Sequence, residues 1–149
     1  MSLSKEIMAA MKVAMKAKDQ VSLEALRAIK SELLLVKTQS GGNDELTEAQ
    51  EIQILQRLVK QRKDSAAIFQ EQSRQDLAEP ELAQVEVIAG FLPTQLTEVE
   101  VKVIVDQVIK DLGASSMKDM GNVMKEVTVK VAGKAEGKLI SSIVKTQLS

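Results

Sequence analysis

Aliphatic side chains recur at helical spacing along the whole chain, and this pattern restricts the fold more than any other feature. Leu3, Ile7, Met11 and Met15 stand four residues apart. Leu23, Leu26, Ile29, Leu33 and Val36 repeat at three and four, as do Ile52, Leu55, Val59, Ala66 and Phe69, and then Leu82, Val85 and Ile88. Such spacing puts apolar groups on one side of a helix of 3.6 residues per turn. The residues that would build another architecture are scarce. There is no Trp or Tyr, only Phe69 and Phe91 are aromatic, and 149 residues hold two Pro and seven Gly. A sandwich or barrel needs more turn residues than that. The core is therefore expected to consist of Leu, Ile, Val, Ala and Met, with the thioether filling irregular gaps between helices. The expected fold class is all-α.

Local signals divide the pattern. The first helix is expected over Leu3–Lys18, and Asp19 caps the next, which runs to about Thr38. Gln39–Leu46, with Gly41-Gly42-Asn43-Asp44, reads as a turn-prone loop. Thr47 and Gln50 form a capping box for a long helix to about Ser73. Arg74-Gln75-Asp76 breaks the pattern, and a shorter helix, Glu79 to Gly90, has Pro80 in its first turn, where a missing N–H costs nothing. Phe91-Leu92-Pro93 marks the best boundary, giving an N-terminal domain of about four helices over 1–92 and a small three-helix domain over 93–149.

In the second part, Thr97 and Glu100 make another capping box, and Val101, Ile104, Val105, Val108 and Leu112 follow up to Gly113. Ser116 caps a helix with Met117, Met120, Val123, Met124 and Val127 inside; after Gly133 and Gly137 a last helix carries Leu139, Ile140, Ile143, Val144 and Leu148. Val127-Thr128-Val129-Lys130-Val131 alternates like a strand, but no second strand matches it, so it is read as a frayed helix end.

Much chemistry is excluded by composition. Cysteine and histidine are both absent. Without them the chain has no thiolate nucleophile, no disulfide, and neither the commonest general base nor the commonest metal ligand. No cofactor or metal is expected. No apolar run approaches the roughly 18 residues of a membrane span, and no signal-peptide pattern opens the sequence. The expected location is the cytoplasm. The net charge of −1 is unevenly spread: residues 112–149 hold six Lys against three acids. That basic end belongs to an otherwise acidic chain.

Two segments bear on binding. Arg57-Leu58-Val59-Lys60-Gln61-Arg62-Lys63-Asp64-Ser65 carries four cations in about two turns. A charged run on a helix is usually a solvated face, but Arg62 falls on the apolar stripe. It must pair with a carboxylate, line an inter-helix groove or bind an anion. Arg74 and Asp76 could form such a pair or clamp a loop. Gly133-Lys134-Ala135-Glu136-Gly137-Lys138 fails the Walker pattern, since three residues separate its glycines and Leu139 follows the Lys. It reads either as an ordinary loop or as a glycine-flexed turn whose lysines contact backbone phosphate. The carboxylates Glu79, Glu81, Glu86, Glu98 and Glu100 read as solvated helix surface, since no nucleophile accompanies them.

Six segments occur in a recognisable order: Leu26-Arg27-x-Ile29-Lys30-Ser31, Val59-Lys60-Gln61-Arg62-Lys63-Asp64-Ser65, Arg74-x-Asp76-Leu77-Ala78-Glu79, Phe91-Leu92-Pro93-x-Gln95-Leu96, Asp119-Met120-Gly121-Asn122-Val123-Met124 and Gly133-Lys134-Ala135-Glu136-Gly137. Together they resemble the GatB/YqeY family, above all its free-standing YqeY-like members, over essentially the whole chain. The resemblance implies an N-terminal YqeY-like helical domain. It also implies a C-terminal part similar to the tail of the B subunit of the tRNA-dependent amidotransferase, the enzyme that converts Glu-tRNA(Gln) to Gln-tRNA(Gln) with glutamine as amide donor. In that enzyme the tail recognises the tRNA body, while the kinase and amidase chemistry lies in parts missing here.

By position, Gly121, Gly133, Lys134, Gly137 and Lys138 belong to the tail motif. With Lys118, Asn122, Lys125 and Lys130 they make the candidate tRNA-binding set. Arg27, Lys60, Arg62, Arg74 and Asp76 make a candidate N-terminal groove. Some positions depart from the family pattern: Phe91 for Tyr, Gln84 for Glu, and Lys134 and Glu136 for Arg and Asp. Glu126-Val127-Thr128-Val129 replaces a Leu-Met-Pro-like stretch.

The expectation is a tRNA-associated accessory protein without catalysis of its own. It would bind tRNA or another structured RNA weakly, and a protein partner in aminoacyl-tRNA synthesis, but neither DNA nor membrane. The alternatives are a subunit of a complex with glutamine-dependent carbon–nitrogen ligase activity and a protein-interaction adaptor with no RNA role.

Overall fold

The computed structural model describes residues 2–42 and 45–149. Asn43 and Asp44 of the expected glycine-rich loop lie outside these. Every regular element among the described residues is helical: α1 (Leu3–Ala17), α2 (Gln20–Gln39), α3 (Glu48–Glu71), α4 (Gln75–Ala89), α5 (Glu98–Leu112), a 3-10 turn (Met117–Asp119), α6 (Met120–Val131) and α7 (Gly137–Leu148). They form two compact units, Met1–Leu92 and Pro93–Ser149.

Sequence-encoded caps set most helix starts. Asp19 accepts from the Ser22 amide at 3.1 Å and the Ser22 hydroxyl at 2.6 Å, starting α2. These donors hold the Asp19 carboxyl below its ordinary value. Thr47 with Gln50, and Thr97 with Glu100, form reciprocal capping boxes at α3 and α5. Lys18 ends α1 in the left-handed region, φ 55°, where its N–H reaches the Ala14 and Met15 carbonyls.

In the first unit α3 packs on α4, and α2 packs on both α1 and α4. Ile7, Leu26, Ile29, Leu55 and Ile88 lie at the centre, each at most 2% exposed. In the second unit Val101, Val105 and Val108 of α5 meet Val123, Val127 and Val131 of α6 and Ile140, Ile143 and Val144 of α7. Among the described residues, no polar or charged residue is fully buried in either unit. Both cores are aliphatic, so their stability rests on apolar burial and close packing of branched side chains.

The structure corrects several expectations. α4 begins at Gln75, not Glu79, and Pro80 lies inside it. Its ring removes the bond that would reach the Asp76 carbonyl, near an exposed helix start where water can satisfy that group. The early start has no capping side chain to announce it, since Arg74 stands at the N-cap and its side chain makes no capping bond to the helix amides. Val127–Val131 is regular helix: residues 123, 127 and 131 make a buried ridge at intervals of four, and the strand-like alternation is incidental. Met15, Leu82, Leu112 and Met117 are exposed, not core. Met117 leaves the stripe because the 3-10 turn shifts its register from that of α6. The α3 stripe buries Ile54 and Leu58 beside Leu55 and Val59, leaving Ile52 and Phe69 half-buried.

Candidate functional site

The turn between α6 and α7 is held by several hydrogen bonds. Val131 ends α6, and two successive residues then take left-handed conformations, Ala132 at φ 48° and Gly133 at φ 81°. This reverses the chain in a few residues. The Lys134 amide donates to the Val131 carbonyl at 2.9 Å, while the Lys134 carbonyl accepts from the Leu96 amide at 2.7 Å. The Gln95 side-chain amide donates to the Gly133 carbonyl at 3.2 Å and to the Pro93 carbonyl at 2.8 Å. The turn backbone is thus tied to the segment entering α5, and Lys134 is presented from a fixed platform with its side chain in solvent. Gly137 opens α7 and Lys138 follows on its exposed surface.

The remaining candidate tRNA-binding residues lie on the 3-10 turn and α6. Lys118, Gly121, Asn122, Lys125 and Lys130 are all exposed. Lys130 Nζ stands 4.0 Å from Asp111 Oδ2, a weak contact in water. Among the described residues, Lys118, Lys125, Lys134 and Lys138 form no ion pair. Asn122 and Lys125 border a shallow depression of about 210 Å³ with Leu112, Ala114, Asp119 and Glu126. Asp119 Oδ2 is engaged by the Ser115 amide at 3.0 Å. Lys145, missing from the candidate set, shares the exposed surface of α7 with Lys138. Its spacing of seven residues from Lys138 was the available signal.

The N-terminal candidates divide into separate places. Arg62 lies half-buried on α3. Its Nε donates to Gln84 Oε1 at 2.8 Å and its Nη1 to the Leu58 carbonyl at 3.2 Å, both neutral acceptors. Gln84 Nε2 in turn donates to Glu24 Oε2 at 3.3 Å. A relay from α3 through α4 to α2 therefore meets the half-buried cation. A carboxylate at position 84 would face Arg62 and Glu24 together, whereas the amide serves both. Glu24 was not foreseen, because its contact with Gln84 spans 60 positions.

Arg74 instead forms a two-pronged pair with Asp76, at 3.0 and 2.9 Å. This raises the Arg74 pKa and holds the Asp76 carboxyl below its ordinary value. Gln84 lies eight positions after Asp76 on α4, about 12 Å along the helix. Lys60 pairs with Asp64 on its own helix at 3.1 Å, and Arg57 pairs with Glu32 of α2 at 2.7 Å. Arg27 is exposed one turn beyond Glu24. Much of the basic run on α3 therefore ties its own unit together.

No group of three or more acidic, His or Cys side chains among the described residues is placed to hold a metal ion. No helix among them is long and apolar enough to cross a membrane.

The architecture defines a class: two aliphatic helical units, the second ending in a basic helix behind a tethered glycine turn. Comparison with family models places it further. The model described as Yqey-like protein matches residues 4–148, and the chain belongs to the YqeY-like family. No curated protein matches it.

Proposed function

We propose that this chain is an RNA-associated accessory protein whose second unit holds structured RNA, tRNA above all, through its lysines. One observation carries the reading: in residues 112–149 all six lysines are exposed. The core beneath them is closed by aliphatic residues alone, so these side chains are not needed for packing. The resemblance of this part to the amidotransferase tail supports the same reading. Contacts from about three to five ammonium groups give weak, salt-sensitive binding. Recognition is of shape and backbone, because the unit has no aromatic side chain on which a base could stack.

The test is a gel-shift or anisotropy titration of purified protein with tRNA at low salt. Binding is expected, and Lys134→Glu with Lys138→Glu is expected to abolish it. Absence of binding at every salt concentration rejects the proposal. A second reading, docking of a protein partner on the first unit, is favoured by the neighbouring exposed Leu34 and Leu35 of α2, 64% and 50% exposed. Glutamine-dependent amide transfer would require partner subunits. Release of ammonia from glutamine by the isolated chain in the presence of misacylated tRNA would overturn the accessory role.

A further inference from the structure

Among the described residues, α7 is the one α-helix of the seven that carries neither Asp nor Glu. Its inner face is fully used: Ile140, Ile143, Val144 and Leu148 are buried in the unit's core. Its half-buried Gln147 engages the carboxylate of Asp106 on α5. The outer face holds Lys138, Ser142 and Lys145, all exposed. At about 100° per residue, positions 138, 142 and 145 lie within about 60° of one another and form one ridge. Lys138 and Lys145 differ in direction by only about 20° and stand about 10 Å apart along the axis. Ser141 lies as near the line of the two lysines but is half-buried, and the Thr146 hydroxyl donates to the Ser142 carbonyl at 3.0 Å, so Ser142 supplies the exposed hydroxyl between the two ammonium groups. Lys134, exposed on its tethered turn, stands four residues before Lys138 in the chain.

We propose that this ridge lies across the minor groove of an A-form RNA duplex, with Lys138 and Lys145 on phosphates of opposite strands and Ser142 on a ribose 2′-hydroxyl between them. The inference rests on the RNA-binding reading and assigns it a nucleic-acid form and a face. The chemistry of the ridge selects that ligand. Two cations separated by two helical turns match two backbones flanking a groove better than one continuous strand. A hydroxyl can both donate to and accept from a 2′-hydroxyl, the group that distinguishes RNA from DNA. A-form RNA displays its 2′-hydroxyls in a wide, shallow minor groove that an exposed helix can reach. A flexible single strand is the poorer ligand, since a ridge without an aromatic platform offers it only charge.

The experiment measures affinity of the full chain for an RNA duplex of about 16 base pairs, a length that one compact domain can span, for a DNA duplex of the same sequence and for the unpaired RNA strand. The parent is expected to prefer the RNA duplex. Lys138→Gln with Lys145→Gln is expected to lower that affinity at least about tenfold through lost phosphate contacts. Lys102→Gln with Lys110→Gln on the outer side of α5 should change it less than about twofold. Ser142→Ala should weaken RNA duplex binding about 2- to 10-fold, the worth of one hydrogen bond, and leave DNA binding unchanged. Unchanged melting curves establish that the surface variants fold, and glutamine avoids placing an anion at the end of α7. If the α7 double variant binds like the parent while Lys118→Gln with Lys125→Gln does not, the ridge is wrong and RNA binding stands. Equal affinity of the parent for all three probes also overturns the ridge. No binding to any RNA overturns both proposals.

Discussion

Ala132→Gly should stabilise the protein, although it removes a methyl group and makes the chain more flexible. Ala132 caps α6 at φ 48° and ψ 48°, squarely left-handed, and its N–H donates to the Thr128 carbonyl at 3.2 Å. A residue bearing a Cβ gives up about 1–2 kcal/mol in that conformation. Glycine adopts it freely but loses about 0.5–1 kcal/mol more backbone entropy on folding. The Ala132 side chain is exposed, so little packing is lost, and the amide bond survives the change. The net gain is about 0.5–1 kcal/mol. For a unit of this size that raises the melting midpoint by roughly 2–8 °C. Gly133, at φ 81°, is the built-in control: Gly133→Ala introduces the same strain and should lower the midpoint. Circular-dichroism melting of the full chain and both variants measures the pair. A loss of stability in Ala132→Gly, or a gain in Gly133→Ala, would refute the claim that backbone conformation governs this turn.

Two further predictions concern the first unit. Glu51 is pushed up from its ordinary pKa mainly by burial, opposed by the Leu3 amide that donates to it at 3.1 Å and reinforced by the charges of Glu6, Glu48 and Glu45. A carboxyl whose folded pKa is raised opposes folding above that pKa and favours it as pH falls through it. Glu51→Gln should therefore stabilise at pH 7, with the advantage shrinking through the carboxylate range; urea titrations at several pH values would show a constant offset if the reasoning were wrong. At the relay, Gln84→Glu should be better tolerated with Glu24→Gln than alone, by about 0.5–1 kcal/mol in a double-mutant cycle, because a carboxylate at position 84 keeps Arg62 as a partner but lies against the Glu24 carboxylate until that is neutralised. Simple additivity of the two changes would show that the relay carries no coupling.

What was legible in the sequence follows from which forces act locally. The helical class, the cap of Asp19 and the capping boxes of Thr47 and Thr97 depend on residues within a few positions, and these were readable. The family resemblance rested on six short segments in order, and the family match spans residues 4–148. The start of α4 is not legible locally, because Pro80 marks a first turn by its chemistry whereas the helix, packed against α3, begins five residues before it. Met117 and Leu112 kept helical spacing at element ends, where the stripe no longer faces a neighbour. The fate of Arg62 could not be read, since its partner Gln84 and that residue's partner Glu24 come from distant parts of the chain. Lys145 adjoins none of the recognised segments, and only its seven-residue spacing from Lys138 marks it as standing on the same side of α7.

The salt dependence of tRNA affinity tests the central claim most directly, because it counts phosphate contacts without presupposing which tRNA is bound. Log affinity plotted against log salt concentration should fall linearly with a slope of about −2 to −4 for three to five contacts. Removing Lys138 and Lys145 together should flatten it by about 1–2. Absence of measurable binding at low salt, or affinity independent of salt, would contradict the account.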